Sequence, residues 1–200
     1  MPQLLKIDSS SRNGGSHSRA LADAFTAEWQ AANPAGKVVI RDVVAKPIPH
    51  ISDDTIAGFY TPADQLDAKL KAALALSDEL IAELFASDVI LISAPIYNFS
   101  VPSALKAYID HVSRIGKTFA FDGQNFEGLV KGKKLYCALA YGLPANETDM
   151  LKPYLNLLFG FLGIADITFL KVEGTVFDAD SVAKAKASAA ATAVAAAKAA

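Results

Sequence analysis

Cysteine is scarce in this sequence: Cys137 is the only one among 200 residues. A single thiol rules out an intrachain disulfide framework and any metal site built from several cysteines. Neither sign of charge predominates, because 19 lysines and arginines stand against 21 aspartates and glutamates and the formal net charge is −2. Nucleic acid and anionic membranes are therefore not expected as partners, since a strongly basic surface would be needed to attract them.

Long uncharged apolar runs are also missing, although 52% of the residues are hydrophobic. A membrane-spanning helix needs roughly 20 strongly apolar residues in succession. The segment 181–200 is rich in alanine and is interrupted by three lysines, and the segment 151–164 is too short. Residues 1–7 have the pattern of a strand rather than of a secretory signal. We therefore expect no membrane partner and a cytoplasmic location.

Short runs rich in β-branched residues alternate with longer helical patterns along the chain. Five runs are predicted as strands, and the third is apolar almost throughout, as expected for a strand buried on both faces. These runs are residues 4–7, 37–41, 88–93, 134–140 and 167–172. Strands that alternate with helices form a parallel sheet through right-handed crossovers. We predict an α/β fold with one flavodoxin-like domain over residues 1–200: a doubly wound five-stranded parallel sheet of order 2-1-3-4-5 with helices on both faces.

The segments between these strands have helical periodicity. A first helix is expected to end near residues 33–34, and Thr61 is expected to cap a second helix that continues to the third strand. Further helices are predicted over 102–115, over 147–162 and in the alanine-rich tail. Two connections, 42–60 and 118–132, are longer than is typical, which indicates a function or mobility for these segments.

The segment after the first predicted strand, Ser9-Ser-Ser-Arg-Asn-Gly-Gly-Ser-His-Ser18, is rich in hydroxyl groups and leads into a helix. Ligands of open α/β sheets bind beyond the carboxyl ends of the strands, and free backbone amides at a helix N-terminus favour an anion. The segment has neither the Gly-x-Gly-x-x-Gly fingerprint of dinucleotide sites nor a P-loop lysine. A terminal monophosphate, as in FMN, suits it best; a polar loop with a serine cap is the alternative.

The segment after the third predicted strand, Ser93-Ala-Pro-Ile-Tyr-Asn-Phe-Ser-Val-Pro102, places two aromatic residues and an amide between prolines. A flavin ring needs apolar surface for its plane and hydrogen-bond partners for its polar edge. The segment can supply both. The alternative is a buried turn in which Tyr97 and Phe99 only pack against their neighbours.

Four motifs in order resemble the FMN-dependent NADH azoreductases of the NAD(P)H:quinone oxidoreductase group. They are Pro-Ile-Tyr-Asn-Phe at 95–99, Pro-Ser-Ala-Leu-Lys at 102–106, Gly-Lys-Thr-Phe at 116–119 and Glu-Gly-Leu-Val-Lys-Gly-Lys at 127–133. The resemblance extends from Leu4 to about Gly174. It implies an FMN enzyme that uses NADH or NADPH for the two-electron, ping-pong reduction of quinones or azo compounds.

The resemblance also implies which residues bind FMN. The phosphate would be held by Ser10, Ser16, His17 and Ser18. One side of the ring would be lined by Pro95, Ile96, Tyr97, Asn98 and Phe99, and its other edge would contact Ala140, Tyr141 and Gly142. Members of the family often have a serine and a double glycine where this chain has Ala140, Gly142 and Leu143, and a glutamine where it has His17.

No catalytic side chain is demanded, because the resemblance assigns the reaction to the flavin. Phe99, Phe121, Phe126 and Phe161 are the candidates for a substrate cage. In similar proteins a neighbouring subunit completes this cage, which implies a homodimer with the active site at the subunit interface. The alternative function is a flavodoxin-type FMN electron carrier without a small-molecule substrate. Such carriers tend to be strongly acidic, and a net charge of −2 argues against that role.

Other residues that could carry chemistry are interpreted as structural. His17, His50 and His111 are scattered without partners at metal-ligand spacing, so no metal site is predicted. Cys137 lies within a strand pattern and is expected to be buried and inert. Asp42 is expected to be a solvated charge at a strand end. Because Lys46 is the single obvious cation in the connection 42–60, NADH is favoured over NADPH.

Overall fold

A computed structural model of the chain describes residues 1–144, 149–176 and 178–198. Seven strands and six α-helices lie in this part of the chain. The strands are β1 (Gln3–Asp8), β2 (Lys37–Asp42), β3 (Val89–Pro95), β4 (Phe119–Phe121), β5 (Phe126–Gly128), β6 (Lys134–Ala140) and β7 (Asp166–Val172). The helices are α1 (His17–Ala32), α2 (Asp53–Tyr60), α3 (Ala68–Ala86), α4 (Ser103–Val112), α5 (Leu151–Phe161) and α6 (Ala179–Lys198), with a short 3₁₀ turn at Ala63–Gln65.

Five strands form one parallel sheet in the order β2-β1-β3-β6-β7. This is the predicted 2-1-3-4-5 order, because β4 and β5 form a separate two-stranded antiparallel hairpin. Parallel pairing brings the carboxyl ends of β1, β2 and β3 to one edge, where Asp8 lies opposite both Asp42 and Ser93. The loops that follow these strands therefore meet above that edge.

The hydrophobic core lies in two layers, one on each face of the sheet, because successive side chains of a strand point to opposite faces. Leu135, Cys137 and Leu139 of β6 pack into the layer beneath α3, α4 and α5, whereas Tyr136 and Ala138 pack into the layer beneath α1 and α6. Helices therefore cover both faces, as predicted. Cys137 is fully buried as expected, and burial raises the pKa of its thiol.

Trp29 anchors the layer formed by α1 and α6. Its side chain is 1% exposed, and Val182 and Ala185 of the alanine-rich tail pack against the same cluster. The tail is therefore a helix that covers one face of the sheet, as the sequence predicted.

The predicted start of the second long helix at Thr61 is wrong. The Thr61 hydroxyl donates to the carbonyl of Ala57 at 2.8 Å, so this residue closes α2. Asp67 caps α3 instead, because its carboxylate accepts a hydrogen bond from the Leu70 amide at 2.8 Å. Each long connection contains regular structure: α2 lies in the first, and the β4–β5 hairpin lies in the second. The predicted start of a later helix at Glu147 falls outside the described residues.

The β4–β5 hairpin is joined to the end of α5 by a close backbone approach. A Cβ atom on Gly128 would lie 2.2 Å from the backbone nitrogen of Gly163. The Val130 amide donates to the carbonyl of Leu162 at 2.8 Å, next to this contact. Glycine at position 128 is therefore required for the hairpin to dock.

We predict that Gly128→Ala lowers the free energy of unfolding by about 1–3 kcal/mol or more, because backbone atoms cannot move away as a flexible side chain would. Gly160→Ala is the matched control, since this exposed position in α5 has open space around it. It should be neutral or stabilising by up to about 1 kcal/mol. Urea unfolding of both variants measures the difference. Equal free energies of unfolding would contradict the requirement for glycine at position 128.

Candidate cofactor-binding site

The loop between β1 and α1 folds over the first turn of the helix. Ser16 is the N-cap: its Oγ accepts a hydrogen bond from the Arg19 amide at 3.4 Å and lies 3.3 Å from the Oγ of Ser18. At the other end of the loop, the Ser9 hydroxyl donates to the carbonyl of Ser93 at 2.7 Å. The loop is thereby attached to β3, and its residues Ser10 and Ser16 line one cavity together with His17 and Ser18 at the N-terminus of α1.

This first cavity has a volume of about 190 Å³ and opens above the carboxyl ends of β3 and β6. Nine of the twelve predicted cofactor residues line it. Its described lining has one arginine, three serines and a threonine, and no carboxylate. The lining residues are Ser10, Arg12, Gly15, Ser16, His17, Ser18, Pro95, Ile96, Tyr97, Ala140, Gly142 and Thr175.

Two cations, Arg12 and Lys186, lie near His17 on the side of the loop. Burial lowers the pKa of His17, and the nearby charges of Lys186 and Arg12 lower it further. Hydroxyl donors, cations and the positive end of a helix dipole converge here, and that combination favours an anion such as phosphate.

The segment after β3 forms a tight two-residue turn. The Tyr97 amide donates to the Ser100 carbonyl, and the Ser100 amide donates to the Tyr97 carbonyl, each at 3.0 Å. The two central residues, Asn98 and Phe99, have φ values of 50° and 64°. Left-handed backbone is costly for a bulky residue such as phenylalanine, and such strain is concentrated at functional sites. The Ile96 amide holds the turn against β6 by donating to the carbonyl of Ala140 at 2.9 Å.

A second cavity of about 330 Å³ adjoins the first, since Ile96 and Gly142 line both. The remaining three predicted cofactor residues, Asn98, Phe99 and Tyr141, line this second cavity. All twelve are therefore brought together at one edge of the sheet.

Sequence reasoning missed five residues of the two linings. Arg12 and Gly15 lie inside the hydroxyl-rich loop, and Leu143 and Pro144 continue the turn after β6. Thr175 follows β7, and both its amide and its hydroxyl donate to the carbonyl of Tyr141, at 3.2 and 3.1 Å. Its signal was its position just beyond the carboxyl end of a strand.

Tyr141 is fixed by a charged network beside the second cavity. Its hydroxyl donates to Asp149 Oδ1 at 2.8 Å, and Lys171 Nζ donates to Asp149 Oδ2 at 2.5 Å. Burial by itself raises the pKa of Asp149, but Lys171, the Lys152 amide and the Tyr141 hydroxyl together hold it below its usual value. The turn after β6 is therefore tied to β7 and to the start of α5.

The four phenylalanines predicted to form a substrate cage are not together in the described chain. Phe99 lines the second cavity, where it is 69% exposed. Phe121, Phe126 and Phe161 form a separate cluster with Phe119, with ring centroids 4.7–6.2 Å apart, and line neither cavity. The separation arises because the cluster is built on the β4–β5 hairpin and α5.

Asp42 was expected to be solvated at the end of β2, and this interpretation is wrong. Its carboxylate accepts hydrogen bonds from Arg19 Nη1 at 2.7 Å and Nη2 at 3.2 Å, and from the amides of Val44 and Ala45, each at 2.9 Å. The Arg19 guanidinium, with these backbone amides, lowers the pKa of Asp42 to about 2.

Within residues 1–144, 149–176 and 178–198, no group of three or more His, Cys, Asp or Glu side chains could hold a metal ion. His111 is buried in α4, where its Nε2 lies 3.0 Å from the carbonyl of Pro49. No helix in the described part of the chain is both long enough and apolar enough to cross a membrane.

The sheet order and the position of these cavities define a flavodoxin-like protein. The chain belongs to the flavodoxin-like fold family, whose sequence profile matches residues 2–197. It is 54% identical to the FMN-dependent NADH:quinone oxidoreductase of Xanthobacter autotrophicus over 174 residues, 84% of either chain. The Burkholderia pseudomallei enzyme of the same name is 43% identical over 187 residues, 92% of this chain and 94% of that one. Among solved structures, an azoreductase from Bacillus anthracis superposes with a TM-score of 0.88 at 26% identity, covering 98% and 99% of the two chains.

Proposed function

We propose that this chain is an FMN-dependent oxidoreductase that uses NADH to reduce quinones or azo compounds, two electrons at a time and in a ping-pong sequence. The observation that carries the proposal is the pair of adjoining cavities at the carboxyl edge of the sheet. One is lined by anion-binding groups and the other by apolar groups. The names of the relatives support the same substrates and cofactor.

The first cavity fits the phosphate of FMN. Hydroxyl groups of Ser10, Ser16 and Ser18 line it beside the N-terminus of α1, and Arg12 adds a cation. A dianionic phosphate would be repelled by a carboxylate, and the described lining contains none. His17 would contribute an imidazole nitrogen as a further hydrogen-bond donor to the phosphate.

The second cavity fits the flavin ring. Ile96, Phe99 and Leu143 offer apolar surface for the plane of the ring. The paired hydrogen bonds of the turn use Tyr97 and Ser100, so the turn itself does not consume the backbone amides of Asn98 and Phe99. The backbone at Asn98 would be a hydrogen-bond partner for the polar edge of the ring, and the turn after β6 would contact its other edge.

When bound, FMN supplies the redox chemistry by taking two electrons from a nicotinamide and passing them to the acceptor. The chain's own contribution is to hold the ring and to shield it from water with the apolar lining of the second cavity. Phe99 would pack against the nicotinamide and the acceptor in turn. The flavodoxin-type carrier is the weaker candidate, because a net charge of −2 gives little electrostatic attraction to a redox partner.

We further propose that the enzyme is a homodimer and that it acts in the cytoplasm. Phe121, Phe126 and Phe161 remain 47%, 60% and 38% exposed, and Leu157, one turn before Phe161 on α5, is 75% exposed. Contiguous exposed apolar side chains of this kind mark protein interfaces. A second copy would cover this patch and bring its own phenylalanines toward the acceptor, which would complete the cage.

Light scattering on the purified protein should therefore give twice the mass of one chain. Phe126→Glu should shift the population toward monomer, because a charge would be buried in the interface. Ile40→Glu is the matched control: Ile40 is as exposed, at 62%, but lies on the edge strand β2. A wild-type monomer, or equal dissociation by both variants, would contradict the proposed interface.

The proposed function is tested by purifying the protein, adding FMN and then adding NADH with and without menadione. We expect a yellow protein that bleaches with NADH and regains its colour when the quinone is added. A colourless protein that takes up no added FMN would contradict both the oxidoreductase function and the flavodoxin-type carrier function. A bound flavin that stays oxidised with NADH, and also with NADPH in a second run, would leave the electron carrier as the remaining function.

Replacing Ser16 and Ser18 together by alanine should raise the Kd for FMN at least tenfold, since each hydrogen bond to a charged phosphate is worth about 1.5–3 kcal/mol. Flavin fluorescence titration measures the Kd. Ser52→Ala is the matched control, because Ser52 is also the N-cap of a helix but lies away from both cavities. Ser52→Ala should lower the free energy of unfolding and leave the Kd for FMN unchanged. Full FMN affinity in the double variant would show that the loop does not hold the phosphate.

A further inference from the structure

Arg19 lies in the first turn of α1 but is not part of the lining of the first cavity. Its guanidinium is turned toward the sheet, where Nη1 and Nη2 both bond to the carboxylate of Asp42. Nη2 also donates to the backbone carbonyl of Ser10 at 2.8 Å. One side chain therefore joins the helix, the end of β2 and the loop whose Ser10 hydroxyl faces the cavity.

The same guanidinium is connected to the ends of two further strands. Nη1 lies 3.5 Å from Asp8 Oδ2, and the other oxygen of Asp8 accepts a hydrogen bond from the Ser93 hydroxyl at 2.7 Å. The side chains of Arg19 and Asp8 are 15% and 6% exposed, so water screens these contacts little. Arg19 thus connects the loop to the carboxyl ends of β1, β2 and β3.

We infer that Arg19, anchored by Asp42, is a positioning residue that holds the loop 9–16 in the shape that binds phosphate. This rests on the proposed binding of FMN. The positive charge of Arg19 is already balanced by Asp42 and Asp8, so its effect on the ligand is exerted through Ser10 rather than through contact with the phosphate. Arg19 bonds both oxygens of Asp42 through two nitrogens held in one plane and reaches the Ser10 carbonyl with one of them, a bidentate geometry that the single nitrogen of lysine does not reproduce.

The test compares FMN with riboflavin, which has the same ring and no phosphate. Wild-type protein, Arg19→Gln, Arg19→Lys and Asp42→Asn are titrated with both flavins. We expect Arg19→Gln to raise the Kd for FMN at least about tenfold and to leave the Kd for riboflavin within about twofold, with Arg19→Lys in between. A loss of fold would weaken both flavins in parallel, so the ratio of the two Kd values isolates the phosphate loop.

Asp42→Asn distinguishes positioning from direct attraction. Removing a carboxylate near the loop makes the region more positive, so simple electrostatics predicts tighter binding of FMN. If Asp42 anchors Arg19, binding of FMN becomes weaker instead, with riboflavin again little changed. If Arg19→Gln fails to fold, Asp42→Asn alone tests whether Arg19 positions the loop.

Arg41→Gln is the matched control. Arg41 makes a similar pair of ionic contacts, with Glu79 and Glu83 of α3, but joins no part of the loop. The ratio of the Kd for FMN to the Kd for riboflavin should be the same in Arg41→Gln as in the wild type. The inference is overturned if Asp42→Asn binds FMN as tightly as or more tightly than the wild type, or if a folded Arg19→Gln variant changes the Kd values of both flavins equally. Failure of the wild-type protein to bind FMN would overturn the proposed function itself.

Discussion

Asp8 ends the first strand with its side chain 6% exposed, and a buried carboxylate is stable only where cations and donors surround it. Lys6 lies 3.1 Å from one of its oxygens, Arg19 approaches at 3.5 Å, and the Ser93 hydroxyl donates at 2.7 Å. Burial alone would lower the pKa of Lys6, but Asp23 and Asp8 hold it above its usual value. The contacts of this carboxylate hold the ends of β1 and β3 and the first turn of α1 together. The hydroxyl-rich loop connects β1 to α1 at this place.

A second constraint is the strained turn after β3. Two consecutive non-glycine residues, Asn98 and Phe99, are held in left-handed backbone, which costs of order 1–3 kcal/mol for each. The paired hydrogen bonds between Tyr97 and Ser100 and the bond from Ile96 to β6 offset this cost. The result is that the aromatic side chain of Phe99 lines the second cavity from a turn held by hydrogen bonds at both ends.

Much of the fold was readable from local pattern. The apolar runs identified all five strands of the main sheet to within about two residues. The pattern is plainest for β3, because a strand buried on both faces must be apolar on both. The hairpin was not found, since three-residue strands such as β4 and β5 have too few residues to show alternation. The start of α3 was misplaced, because Thr61 and Asp67 are both good capping residues and only the folded chain shows which one is already engaged.

The candidate site was also predictable only in part from the sequence. Residue type and position after a strand pointed to the loops that follow β1 and β3, because parallel strands deliver their following loops to one edge. The twelve individual residues around the two cavities came from the resemblance to the FMN-dependent azoreductases. The partnership of Arg19 with Asp42, the separation of Phe99 from the other phenylalanines and the fit of Gly128 against Gly163 were decided by tertiary structure. Each depends on the relative position of residues distant along the chain, and such positions are set by how helices and loops pack rather than by the periodicity of any one segment.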